Sequence, residues 1–255
     1  MNSLNELRKQ YRMVFDYHTH TVYSKVGPYY HGKGTIMENV SAANMLGLSE
    51  IAITDHGPSD LYGLRIRRVP EARADIEEAR AKFPEMKILL GLEADLKDTE
   101  SGLDITKEET GLFDIVNCGY HVSVPGCKSA QSIISTKIGA PAGSMTKLRD
   151  YNTELALRAL YGNKITVLTH PGDKGPFDMD RLCKACEETG TYMEISSRHT
   201  HMTIEELEIS KKYDVRYVIS SDAHKPSQVG LYEVGLLRAL KAGIPVERIV
   251  NIEKR

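Results

Sequence analysis

Seven of the nine histidines, His18, His20, His31, His56, His121, His170 and His224, lie just beyond the ends of short apolar runs, and Glu93 and Asp222 occupy matching places. Imidazole and carboxylate groups are the donors that transition metals select. Nine of them gathered at one end of a strand array would make a multi-metal site, and a scatter of surface histidines would not keep that phase. His18-Thr19-His20 and Asp222-Ala223-His224 each pair donors two residues apart. In an extended chain that spacing sets both side chains on one side. Asp16, two residues before His18, is a candidate to orient a ligand histidine from behind. Glu93 follows an apolar run directly, a costly place for a carboxylate unless a cation or hydrogen bonds satisfy it.

The donors must be held by the elements that precede them. Short Val- and Ile-rich runs at 13–17, 50–54, 87–92, 113–119, 164–169, 191–196 and 215–221 predict strands, several of them apolar throughout, as in a parallel sheet buried on both faces. Between them, helices are predicted at 36–47, 70–82, 145–161, 178–189, 203–213 and 227–242. Pro70 suits a first helical turn; Gly47, Gly190 and Gly243 fall just past helix ends, and Ser227 is a candidate N-cap. Seven strands interleaved with six helices predict a parallel α/β architecture. Donors follow nearly every strand instead of flanking a single switch point, which favours a barrel over an open sheet. The predicted fold is therefore a distorted seven-stranded (β/α)7 TIM-like barrel, one domain over residues 1–255. The connection 122–144, rich in Pro, Gly and Ser, is a candidate lid or binding loop, with a solvated insertion as the plainer reading.

Composition narrows the function. A formal net charge of -2 gives no overall attraction to nucleic acid or anionic membrane, and long nucleic acid is not an expected partner. No stretch has the roughly 18–20 apolar residues of a membrane span, and the first residues lack an apolar leader core, so a cytoplasmic protein is expected. Four cysteines fall short of a disulfide framework. Cys183 and Cys186 sit one turn apart in a predicted helix with no second such pair, and are read as packing residues.

The motifs HTHTVYS, ITDHG, GLEADL, GYH, THPG and SDAH, in this order from Asp16 to about Asn251, resemble those of the PHP (polymerase and histidinol phosphatase) family, and most of all its stand-alone bacterial phosphatases. The resemblance implies a distorted seven-stranded barrel and a site for three divalent transition metals such as zinc, manganese or iron. It implies that His18, His20, Glu93 and Asp222 hold one metal, that Glu93 bridges to a second held by His121 and His170, and that His31, His56 and His224 hold the third. The family's third-site histidine often stands just before a Gly-Lys-Gly-Thr stretch. Here His31 does so, but an extra VGPYY segment precedes it, and a gapless alignment would put Val26 in its place. His199 and His201 repeat the HxH spacing where the family has no ligands, and are read as rim residues; Glu194 is a candidate to support a ligand from behind.

Clustered divalent cations generate hydroxide at neutral pH, so the expected chemistry is attack of a metal-activated hydroxide on a small phosphomonoester. Three such ions, less two carboxylates and one hydroxide, leave about +3 in the site, which favours an anionic substrate. Glu93 as bridge, and Asp222 or a ligand histidine such as His224 in proton transfer, are the candidate catalytic groups. Arg198, one of the loop arginines (Arg65, Arg67) and Lys33 are the candidate phosphate contacts. Three other readings use the same features: a phosphodiesterase or 3′ exonuclease on short oligonucleotides, a metal-dependent amidohydrolase, and a metal-stabilised interaction module. Amidohydrolases often bridge their metals with a carboxylated lysine, and here Glu93 stands in that role. A nearly complete donor set argues against a module without activity.

Overall fold

The computed structural model describes residues 4–122, 124–125, 127–138 and 141–255. Seven parallel strands, β1 (Phe15–Asp16), β2 (Glu50–Ile53), β3 (Lys87–Asp95), β4 (Ile115–Gly119), β5 (Val167–Leu168), β6 (Tyr192–Ser196) and β7 (Tyr217–Ser220), pair in chain order from first to last. β1 and β7 share no ladder. They meet through an isolated parallel bridge, Thr19 with Ala223, in which the His20 N–H donates to the Ala223 carbonyl at 2.8 Å. The result is a nearly closed, distorted (β/α)7 barrel, as expected from the sequence.

Two polar side chains close the seam where the ladder is missing. Asn251 donates to the carbonyls of Phe15 (2.8 Å) and Ile219 (2.6 Å) and accepts from the Ile219 N–H (3.0 Å). Asp16 accepts from the Ser221 hydroxyl (2.5 Å) and the Gly230 N–H (3.0 Å). Asp16 therefore ties the first strand to the last, and its hydrogen bonds go to Ser221, Gly230 and the His18 backbone instead of to a histidine ring.

Strand alternation sorts the side chains. Tyr17, Ala52, Leu89, Val167 and Val218 form a small cluster inside the barrel. Ile51, Ile53, Ile88, Leu90, Leu92, Val116 and Ile219 belong to the larger core, which also takes in the helices. Counting by twos from the inner residues along β2, β3 and β7 leads to His56, Glu93 and Asp222 at the C-terminal ends of their strands.

The helices 36–45, 69–82, 142–162, 179–189 and 204–210 lie close to their expected places. The last one differs. Pro226–Gln228 form a 3-10 turn and the helix proper is Glu233–Lys241, because Gly230 between them takes φ +74° and turns its N–H to Asp16. The connection at 122–144 contains a helix, Ser129–Ile138, and the next helix starts within it at Ala142. The lid reading falls partly outside the described residues. A hairpin, Lys25–Val26 with Tyr29–Tyr30, absorbs the extra segment before His31. The expected first strand divides: Tyr11–Met13 pairs antiparallel with Ile252–Lys254, and only Phe15–Asp16 enters the barrel. Cys183 and Cys186 are free and buried.

Candidate metal centre

All the side chains proposed as ligands except His31 are buried at the C-terminal end of the barrel. Glu93 is at the centre, with no exposed surface. Its Oε1 lies 3.0 Å from His170 Nε2 and 3.4 Å from His121 Nε2; its Oε2 lies 3.0 Å from His56 Nδ1 and 3.2 Å from His18 Nε2. Gly119 is required beside it, since a β-carbon there would sit 2.8 Å from Glu93 Oε1 and 2.7 Å from the His121 ring. Asp222 Oδ1 lies 3.2 Å from His20 Nε2 and 3.3 Å from His224 Nδ1. His170 (φ +28°) and Asp222 (φ +48°) both take left-handed backbone conformations, which cost a side-chain-bearing residue free energy and are found where function over-determines the chain.

Donor atoms lying within 4.8 Å of one another form the groups His18–His20–Asp222, His18–Glu93–His170, His56–Glu93–His121, His20–His56–His224 and His170–His199–Asp222. The grouping departs in detail from the family-derived one: His20, not His31, joins His56 and His224. The His31 ring is nevertheless adjacent, its centre 4.3 Å from that of His224 and 5.3 Å from that of His56, and it stacks on Tyr62.

The donor set fits divalent cations. Buried nitrogen or oxygen atoms of His20, His56, Glu93, His121, Asp222 and His224 have no hydrogen-bond partner, although a buried polar atom left unpaired costs about 1–3 kcal/mol. Carboxylates orient two of the rings: Glu194 Oε1 lies 2.7 Å from His18 Nδ1, and Asp95 Oδ1 lies 2.6 Å from His121 Nδ1. Asp95 was missed in the sequence, though it follows Glu93 by two and so shares its inward side. Asp55, also unforeseen, holds the segment after the first HxH by accepting from the Thr21 N–H and hydroxyl and the Ser24 hydroxyl.

Burial alone would pull the His18 and His121 imidazoles down. The carboxylates around them, Glu93 above all, outweigh it and hold both well above the usual range. Burial and the neighbouring His56 and His224 push His20 well below that range. Burial, with the Arg198 charge adding to it against Asp222, pulls His224 down to about 3. A metal bound by His18 and His121 would have to displace the protons that these shifts favour. Metal loading is expected to release protons, seen in calorimetry as a binding enthalpy that varies with the ionisation enthalpy of the buffer. A buffer-independent enthalpy would contradict this.

The phosphate-contact candidates divide. Arg198 reaches the cluster, its Nη1 3.0 Å from His224 Nδ1 and its Nε 3.7 Å from Asp222 Oδ2. The Lys33 backbone N–H donates to the His224 carbonyl at 2.8 Å, and its exposed side chain lines an open groove of 720 Å³ with Lys25, Tyr29 and Tyr30. Arg65 is exposed and turned to the Pro58 carbonyl, and Arg67 is exposed in the turn Ile66–Arg68. His199, read from the sequence as a rim residue, stands against Asp222 with its Nε2 2.9 Å from Oδ2, whereas His201 is held by Glu206 at 3.0 Å. Nothing in the spacing separates the two.

The PHP domain family model matches residues 16–198. The chain belongs to the PHP domain family. Relatives include a protein of Caldanaerobacter subterraneus named a probable phosphatase, 28% identical and covering 96% of this chain and 89% of its own. Another of the same name from Acetivibrio thermocellus is 26% identical, over 94% of this chain and 91% of its own. Among solved structures, the histidinol phosphate phosphatase of Lactococcus lactis, complexed with zinc, L-histidinol and phosphate, has the same fold. Its TM-score is 0.62 at 18% identity, over 91% of this chain and 95% of that one. No described helix is long and apolar enough to cross a membrane.

Proposed function

We propose that this PHP protein hydrolyses small phosphomonoesters at a site for three divalent transition metals, zinc, manganese or iron, held by His18, His20, His31, His56, Glu93, His121, His170, Asp222 and His224. Its family and the names of its relatives bear out the reading as a metal-dependent phosphatase. The observation that carries the finer reading is Glu93, a fully buried carboxylate shared by His18, His56, His121 and His170. Bound metals would supply Lewis-acid activation of water and neutralise phosphoryl charge. The chain's own groups do the rest. Glu93 and Asp222 each present two oxygens to different histidines and hold the donor frame in register. Arg198, part-exposed beside His224, is placed to take phosphate oxygens at the mouth, and Lys33 adds positive charge from the neighbouring segment. Asp222 and His224 are the candidate proton carriers. One domain over the whole chain and residence in the cytoplasm belong to the same reading.

Metal analysis joined to a phosphate-release screen over phosphomonoesters, phosphodiesters and short oligonucleotides tests this. Release from monoesters that depends on a bound transition metal is expected. Protein with no such metal and no metal-restored activity would sink the enzyme reading, and preference for oligonucleotides would move it to the nuclease alternative. Arg198→Ala is expected to lower kcat/KM about 10- to 100-fold, mostly through KM, as loss of a charge-assisted hydrogen bond to phosphate does. Steady-state kinetics with unchanged KM and kcat would remove Arg198 from the substrate site.

A further inference from the structure

His199 is built like a ligand. His18 and His121 share one construction: Nδ1 rests on a buried carboxylate, Glu194 or Asp95, while Nε2 faces Glu93. His199 repeats it. Its Nδ1 lies 3.1 Å from Asp173 Oδ2, its Nε2 lies 2.9 Å from Asp222 Oδ2, and its ring centre is 4.8 Å from that of His170. A carboxylate behind the ring fixes the orientation of a metal-binding histidine and raises its basicity. Donors on one tetrahedral ion, each about 2.0–2.2 Å from it, stand roughly 3.3 Å apart. The ligand atoms of His170, His199 and Asp222 all lie within 4.8 Å of one another, with His199 Nε2 and Asp222 Oδ2 2.9 Å apart.

The frame around these residues is firm. The Asp173 N–H donates to the His170 carbonyl at 3.1 Å, so one turn delivers both a donor and the carboxylate behind His199. The segment that bears His199 is held by Arg238, which donates to the carbonyls of His199 (2.9 Å) and Ser196. Asp222 turns Oδ1 to His20 and His224 and Oδ2 to His199, so each oxygen can serve a different ion, as the two oxygens of Glu93 can.

The geometry points to His199, oriented by Asp173, as a further metal ligand that completes a site with His170 and Asp222. This rests on the metal-dependent reading above. The competing arrangement is a protonated His199 held as an ion pair between two aspartates, with no metal contact.

The full chain, stripped of metal and titrated with Co²⁺ in a free-metal buffer, separates the two through its visible d–d absorption and its bound metal per chain. His199→Ala is expected to need at least about 100-fold more free Co²⁺ to fill one of the sites, and Asp173→Asn about 10- to 100-fold more. His201→Ala, whose ring is committed to Glu206, should match the unsubstituted protein. Circular dichroism reports the fold of each variant. Unchanged Co²⁺ number and affinity in His199→Ala overturns the assignment; if that variant does not fold, unchanged binding in Asp173→Asn does so. Failure of the unsubstituted protein to bind Co²⁺ or Zn²⁺ would instead overturn the metal reading itself.

Discussion

Glu93→Gln is expected to lower kcat/KM for phosphate release by about 10²- to 10³-fold and to reduce bound metal, while the fold persists. The substitution keeps the shape of the side chain and removes its charge. Glutamine can offer only one acceptor oxygen, so either the His121–His170 side or the His18–His56 side would face an amide NH₂ instead. If Glu93 bridges bound ions, the substitution would remove part of their several kcal/mol of transition-state stabilisation, and each 1.36 kcal/mol is tenfold in rate, which sets the size of the effect. The fold persists because the barrel interior and the surrounding helices pack through apolar clusters of which Glu93 is not a member. Kinetics, elemental analysis and circular dichroism on one preparation check the three parts. Full activity in the variant would take Glu93 out of the bridge.

Removal of the metals is expected to abolish phosphate release and to lower Tm by roughly 8–16 °C, with both restored by zinc, manganese or iron. The cluster crowds histidines around two buried carboxylates, and several of its atoms have no other partner. An ion bound only by the folded state stabilises it by RT ln(1 + [L]/Kd), about 4 kcal/mol at a thousandfold excess over Kd. For a chain of this size each kcal/mol is worth about 2–4 °C. Thermal melts before and after chelation, with metal content measured on the same samples, give the answer. An unchanged Tm after verified removal would mean that these donors do not hold an ion that matters to the fold.

The helix-and-strand order, the strand positions and most of the donor cluster were legible in the sequence, for reasons that lie in local geometry. A strand buried on both faces has to be apolar, and its side chains alternate with a period of two. Apolar runs therefore marked β2, β3 and β7, and in the structure a count by twos from their inner residues leads to His56, Glu93 and Asp222. Asp95 lay within the same rule and could have been found by it. The segment 227–242 was misread as one helix because nothing local announces that Gly230 must turn its N–H to a carboxylate on the first strand.

Pairings between distant segments were decided only by the tertiary structure. Asp16 and Ser221 are 205 residues apart in the chain, and their contact closes the barrel. The identical spacing of His18-x-His20 and His199-x-His201 hides different fates, since His201 is held by Glu206 while His199 turns between Asp173 and Asp222. His31 stands beside the cluster, directly after a hairpin that takes up the extra segment. Residue type and period depend on neighbours a few positions away and can be read along the chain. A donor's partner depends on which strand ends the nearly closed barrel brings together, and that is a property of the whole fold.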